Sequence, residues 1–174
     1  MLLEDECHLL WGDVCGQVWG KRNAPIAVPM TNARQRQTYY GSLNVLTQQF
    51  HLSAFAAGNS QNTVAYVREC QARYPNKKLL FVWDGASYHR SSELQTFWAQ
   101  ENDGLAEGDW KVTCVRFAPN APEQNPVEDV WLKGKNYLRK HFADHKTFAQ
   151  VKQAFAETLN GFAFPSVKFS WYWS

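Results

Sequence analysis

The chain has 174 residues, 45% of them hydrophobic and 15% aromatic, which is enough to build one sizeable core in one domain. Eighteen basic residues against 16 acidic ones leave a net charge of +2, a balance that permits a nucleic-acid partner without demanding one. Cys7, Cys15, Cys70 and Cys114 form no CxxC pair, which argues against a zinc site and for reduced, buried thiols. MLLEDECHLL carries acids where a signal peptide needs a basic segment, and no apolar run approaches membrane-spanning length, so a soluble intracellular protein is expected.

In chain order, the apolar pieces of CHLLWGDVCGQVWGKR break around Gly12, Asp13 and Gly16 and predict a hairpin. From Tyr39 to Phe55 the alternation of Leu43 with Val45, then Phe50, Leu52 and Ala54, predicts two strands joined near Thr47 to Gln49. Asn59 and Ser60 are cap candidates for a helix over Gln61 to Tyr74, with Val64, Val67, Cys70 or Gln71, and Tyr74 on its apolar face. Leu79 to Trp83 reads as a strand covered on both faces, since a half-exposed strand would alternate. Ser92 to Glu101 is expected to be helical, ENDGLAEGD to be a surface insertion, and WKVTCVRFA to be a strand ending at Pro119. A last pair of helices follows. Hairpins first and strand-helix alternation afterwards predict an α/β fold, a mixed sheet with helices on both faces.

Three acidic elements stand out. Asp84 ends the Leu79 to Trp83 strand, and the carboxyl ends of central strands are where ligands gather in open sheets. It could equally cap the next helix or turn the chain. Glu128 lies on the first turn of a helix for which Asn125 is an N-cap and Pro126 a first helical residue, with Val127, Trp131, Leu138 and Phe142 as the apolar stripe. Asn125 and Glu128 are also spaced as a capping box. The third element, Glu4, Asp5 and Glu6, follows a short apolar start and reads in isolation as a solvated charge run.

As a set, DE after a short strand, VWDGASYH ending a buried strand, and APNAPEQNPVEDVW opening a helix resemble the catalytic domain of DDE transposases, in the bacterial insertion-sequence branch of the mariner superfamily. Pro119, Pro122, Asn125, Pro126, Glu128 and Trp131 match the family's third motif. The resemblance implies an RNase H-like fold, with Asp5, Asp84 and Glu128 as catalytic acids that hold magnesium or manganese, two ions in all. Glu6, His89 and Asn125 would support them. Gly85 stands where the family often has asparagine, and the interval from Asp84 to Glu128 is longer than usual, an excess that the ENDGLAEGD insertion can absorb.

The implied activity is metal-dependent cleavage at transposon ends and strand transfer into target DNA by a homodimer in the bacterial cytosol, at the nucleoid. A nuclease that cuts without integrating, or a non-catalytic relic, are the alternatives. Phosphate contacts are expected from Lys133, Lys135, Arg139 and Lys140, because Lys135 is seven residues beyond Glu128 and so on nearly the same helix face. Only four residues precede Asp5, so the family's helix-turn-helix DNA-binding region is expected to be absent here and supplied by an upstream segment or a separate chain. The tail FAFPSVKFSWYWS is too apolar for a free end and is expected to pack on the sheet or at a dimer contact.

Overall fold

The computed structural model describes residues 1–11, 19–24, 35–118 and 124–165. The expected turn at Gly12, Asp13 and Gly16, the motif residues Pro119 and Pro122, and the end of the tail lie outside the described residues. Five strands, β1 (Leu2–Leu10), β2 (Arg36–Asn44), β3 (Phe50–Phe55), β4 (Leu79–Trp83) and β5 (Val112–Arg116), alternate with four helices in the expected order. The helices are α1 (Ser60–Arg73), α2 (Ser92–Glu101), α3 (Val127–Lys140) and α4 (Phe148–Leu159). The sheet order is β3-β2-β1-β4-β5, with β1, β2 and β3 antiparallel and β4 and β5 parallel to β1.

β1 is therefore the central strand, and it differs from the expectation. Instead of ending before the acids, it runs straight through Glu4, Asp5 and Glu6 and pairs with β2 along its whole length. The charge run is no solvated segment, since Glu4 is only 1% exposed. Its apolar residues explain why the strand forms: Leu3, Cys7 and Leu9 turn to one face and Leu2 to the other, as the two-residue period of a strand requires.

Each face has its own core. α1 and α2 cover Leu2, Tyr40, Phe81 and Trp83 with Tyr66, Val67, Leu94 and Phe97. α3 and α4 cover Leu3, Tyr39, Leu43 and Phe50 with Val127, Trp131, Leu138, Phe155 and Leu159. Burying each such side chain contributes about 1.5–3 kcal/mol. β4 is covered on both faces as expected, with Phe81 and Trp83 under α1 and α2 and Val82 against the other core.

Caps set the helix starts. Asn59 accepts from the Asn62 N–H at 2.9 Å to open α1, Ser91 accepts from Leu94 at 3.3 Å to open α2, and Thr147 with Gln150 forms a capping box for α4. The expected apolar face of α1 turns inward, with Val67 and Cys70 buried and Val64 and Tyr74 packed at the edge of the core, and Thr63 and Tyr66 widen it, Tyr66 donating to the Ser42 hydroxyl at 2.8 Å. α3 and α4 approach closely at Gly134, where an added Cβ would lie 2.7 Å from both Leu159 and Phe155. Phe142 falls beyond α3, and Val130 and Gly134 complete the buried stripe in its place.

Within the tail, Phe162 O accepts from the Phe50 N–H at 2.9 Å and Phe164 packs on the α3/α4 core. ENDGLAEGD caps the end of α2, and Asn102 pins it to the start of β5 through bonds to Lys111 and Val112. Among the described residues, no helix is long and apolar enough to cross a membrane.

Candidate active site

The parallel register of β1 and β4 pairs Leu2 with Phe81 and Leu3 with Val82. Continued past the end of β4, that register brings Asp84 level with Asp5. The start of α3 is fixed to the same point. Asn125 is buried, its side-chain N–H donates to Glu4 O at 3.1 Å, and its Oδ1 accepts from the Val127 N–H at 3.2 Å. The helix opens one residue later than expected, with Pro126 at the cap and no side-chain capping bond there. Asn125 thus fastens helix to strand rather than forming a box with Glu128, whose side chain is left exposed.

Asp5, Glu6, Cys7 and His8 of β1 and Glu128, Trp131, Leu132, Lys135 and Arg139 of α3 line one open cleft of about 460 Å³. Glu128 sits at the start of the helix face, opposite Asp5 and Glu6 of the strand, and the two cations follow along the helix. Of the other basic residues of α3, Lys133 stands over the Phe162 ring, with its Nζ 3.5 Å from the centroid. Neither Lys133 nor Lys140 lines the cleft.

Asp5 Oδ2 accepts from the indole N–H of Trp131 at 3.0 Å. Trp131 is itself wedged edge-on to Phe50, 5.0 Å between centroids, and stacked on Phe155 at 6.0 Å. Gly41, paired with Asp5 across β1 and β2, makes room for that ring: a Cβ there would lie 2.5 Å from Trp131 and 2.4 Å from Phe50. Burial, then the negative charges of Glu6, Asp84 and Glu128, push the Asp5 carboxyl up to about 7. Asp5 thus lies within reach of the charges of Glu6, Asp84 and Glu128.

Asp84 plays two parts. It turns the chain, since its Oδ1 accepts from the Ala86 N–H at 2.8 Å, and its side chain remains 56% exposed. His89 faces it, with Nδ1 at 3.3 Å from both Asp84 Oδ1 and Asp84 O, while Nε2 lies 3.2 Å from Glu6 Oε1. The hydrogen bond to His89 holds the Asp84 carboxyl below its ordinary value. Burial opposes charge on His89, but Asp84 and Glu6 outweigh it and raise the imidazole to about 9. The ring lies flat on Trp83 at 4.2 Å, which fixes its orientation.

The structure thus brings Asp5, Glu6, Asp84, His89, Asn125, Glu128, Lys135 and Arg139 to one end of the sheet. Sequence reasoning treated Trp131 only as a motif and core residue, although a buried indole N–H needs an acceptor and the Asp5 carboxylate was within the same resemblance. Glu4 and Gly41 were missed as contributors.

Residues 1–152 match the family model of the DDE superfamily endonucleases. The chain belongs to that family. Its fold is that of transposase and integrase cores, the RNase H-like fold implied by the sequence. The Mos1 transposase paired-end complex with left transposon end superposes with a TM-score of 0.64 at 13% identity, over 98% of this chain and 50% of that one. The HTLV-2 integrase catalytic core domain in complex with magnesium gives 0.57 at 13% identity, over 91% and 80% of the two chains. The BIV integrase catalytic core gives 0.53 at 13% identity, over 91% and 79%. The chain spans about half the length of the Mos1 transposase chain. No curated protein matches its sequence.

Proposed function

We infer that this DDE superfamily endonuclease domain is the catalytic part of a DNA transposase, which cleaves phosphodiester bonds at transposon ends and transfers strands into target DNA. One observation carries the reading: Asp5 and Glu128 line one cleft, Asp84 lies level with Asp5 in the sheet, and burial together with the charges of Glu6, Asp84 and Glu128 raises the Asp5 carboxyl to about 7. Such crowding is costly for an empty site and favourable for one that holds a cation.

The donor set of three carboxylates, with no sulfur or nitrogen, fits a hard divalent ion such as magnesium or manganese. Asp5, Asp84 and Glu128 would hold two such ions, which when bound supply positive charge beside the attacking and leaving oxygens of an in-line displacement. Trp131 keeps Asp5 turned into the cleft and leaves its second oxygen for the cation. Asn125 keeps Glu128 at the same level of the sheet by holding the start of α3 to β1. Lys135 and Arg139 lie farther along the cleft, where they would neutralise backbone phosphates on either side of the cut. The partner is accordingly DNA, bound by a homodimer in the bacterial cytosol, with recognition modules from an upstream segment or another chain.

The test is nicking of supercoiled plasmid by the purified chain with magnesium or manganese, followed by a search for joined strands. Metal-dependent nicking lost in both Asp5→Asn and Glu128→Gln supports the reading, and joined products separate a transposase from a nuclease that only cuts. Nicking that survives both substitutions refutes the assignment.

A further inference from the structure

Glu4 has no role in the cleft just described. It alternates with Asp5 along β1 and so projects from the same side as Leu2, toward the core under α1 and α2. It is 1% exposed, and neither of its carboxylate oxygens has a hydrogen-bond partner. Burial, then the charges of Glu6, Asp5 and Asp84, raises the Glu4 carboxyl well above its ordinary value, so the side chain holds a proton unless a cation stands beside it in that proton's place.

Positions for such a cation are beside it. Glu4, Glu6 and His89 each offer one ligand atom, and the three atoms lie within 4.8 Å of one another. His89 is presented as metal-binding histidines are: Nδ1 is directed at the carboxylate and carbonyl oxygens of Asp84, both at 3.3 Å, which fixes the proton there and leaves Nε2 to face Glu6 and Glu4. The ring is further immobilised by its stack on Trp83. All three side chains are almost sealed from solvent, Glu6 at 5% and His89 at 0%.

We propose that Glu4, Glu6 and His89 form a second metal site, which shares Glu6 with the lining of the Asp5 cleft and otherwise lies on the other side of β1, for a borderline divalent transition ion of the zinc and cobalt(II) class. The donor set makes the distinction. One imidazole nitrogen with two carboxylates suits such ions, whereas magnesium prefers oxygen alone and keeps its waters. Bound there, the ion neutralises Glu4, displaces the proton from Nε2, and ties β1 to the segment after β4 that carries Asp84. Its role is to position Asp84 through His89, not to touch DNA.

The experiment uses the full chain carrying Asp5→Asn and Glu128→Gln, which removes the cleft's own donors but leaves Asp84 and His89 in place. Cobalt(II) is titrated and read by its visible d–d absorption, with zinc as competitor and magnesium as control. The expected result is one equivalent of cobalt with the intense bands of a low-coordinate nitrogen and oxygen site, displaced by zinc and unaffected by magnesium. Adding Glu4→Gln, or separately Glu6→Gln, should abolish the bands in chains whose circular dichroism shows an intact fold. Absence of bands in the starting variant, or bands that survive Glu4→Gln, overturns the site and leaves Glu4 a protonated core carboxyl. This binding is read on a chain unable to cleave DNA, so its failure and a failure of the transposase reading are seen in different measurements.

Discussion

The two faces of β1 make an instructive contrast. Asp5 points to the α3 side, where it has an indole donor, an open cleft and two cations farther along the same helix face. Glu4, its immediate neighbour, points to the α1 and α2 side, where it is buried near Glu6 and His89 with neither oxygen hydrogen-bonded among the described residues. Adjacent acids of nearly identical chemistry are thus given opposite surroundings by the alternation of a single strand. A run of charge in a sequence is one feature only until the backbone conformation divides it.

Four measurements bear on that contrast. The largest effect is expected from the cleft: Asp5→Asn or Glu128→Gln should lower metal-dependent cleavage about a thousandfold, since bound cations supply several kcal/mol of charge stabilisation. Equal cleavage in the variants and the parent would erase the functional difference between the faces.

Next is the pH dependence of metal-free stability. Asp5 titrates at about 7 in the folded chain against an ordinary 3.8, so the native state holds its proton longer, and the associated stability is present at low pH and lost as pH rises through 7. His89, raised to about 9 from 6.5, contributes stability that is present below 6.5 and lost as pH rises through 9. Both act in the same direction, so denaturant melts should show stability falling from about pH 4 to about pH 9. The Asp5 part is on the order of 4 kcal/mol, and Asp5→Asn should flatten the lower half of the curve while leaving the upper half. A profile that rises with pH would contradict both assignments.

Gly41→Ala sharpens the comparison from the side of β2. A methyl group there collides with Trp131 and Phe50, and overpacking of this kind costs about 1–3 kcal/mol. The melting temperature should fall, and the Trp131 indole N–H resonance should lose the shift it takes from Asp5. The smallest effect belongs to Lys135→Ala, which should weaken DNA binding uniformly and reduce the slope of log affinity against log salt by roughly one unit. Lys133→Ala, at the residue stacked over Phe162, should leave that slope unchanged.

Much of the architecture was legible in the sequence because its signals were local. Leu79 to Trp83 announced a buried strand by an unbroken apolar run, and Asn59, one of two cap candidates, stands at the start of α1, as cap chemistry demands. β1 was misjudged as short because three acids interrupt its alternation, and nothing local says that such a strand can be central. Its support comes from β2 and β4, which are remote in sequence. Asp5, Asp84 and Glu128 were singled out through a family resemblance, whereas the burial of Glu4 and the need for Gly41 depend on packing across the sheet, which no single segment encodes. Asn125 was read as a cap by residue type, and its bond to Glu4 O is visible only once α3 lies against β1.

The pairing of β1 with β4, and of the start of α3 with β1, has a consequence for a chain emerging from a ribosome. Asp5 is made before the elements that complete its surroundings: its register with Asp84 needs β4, and the Trp131 indole that orients it lies 126 residues farther along the chain, with Asn125 and Glu128 close by. No partial chain lacking α3 contains the full acid set or the indole that orients it. A domain built this way is chemically silent throughout its synthesis and gains its complete site only when the final helices close over the sheet.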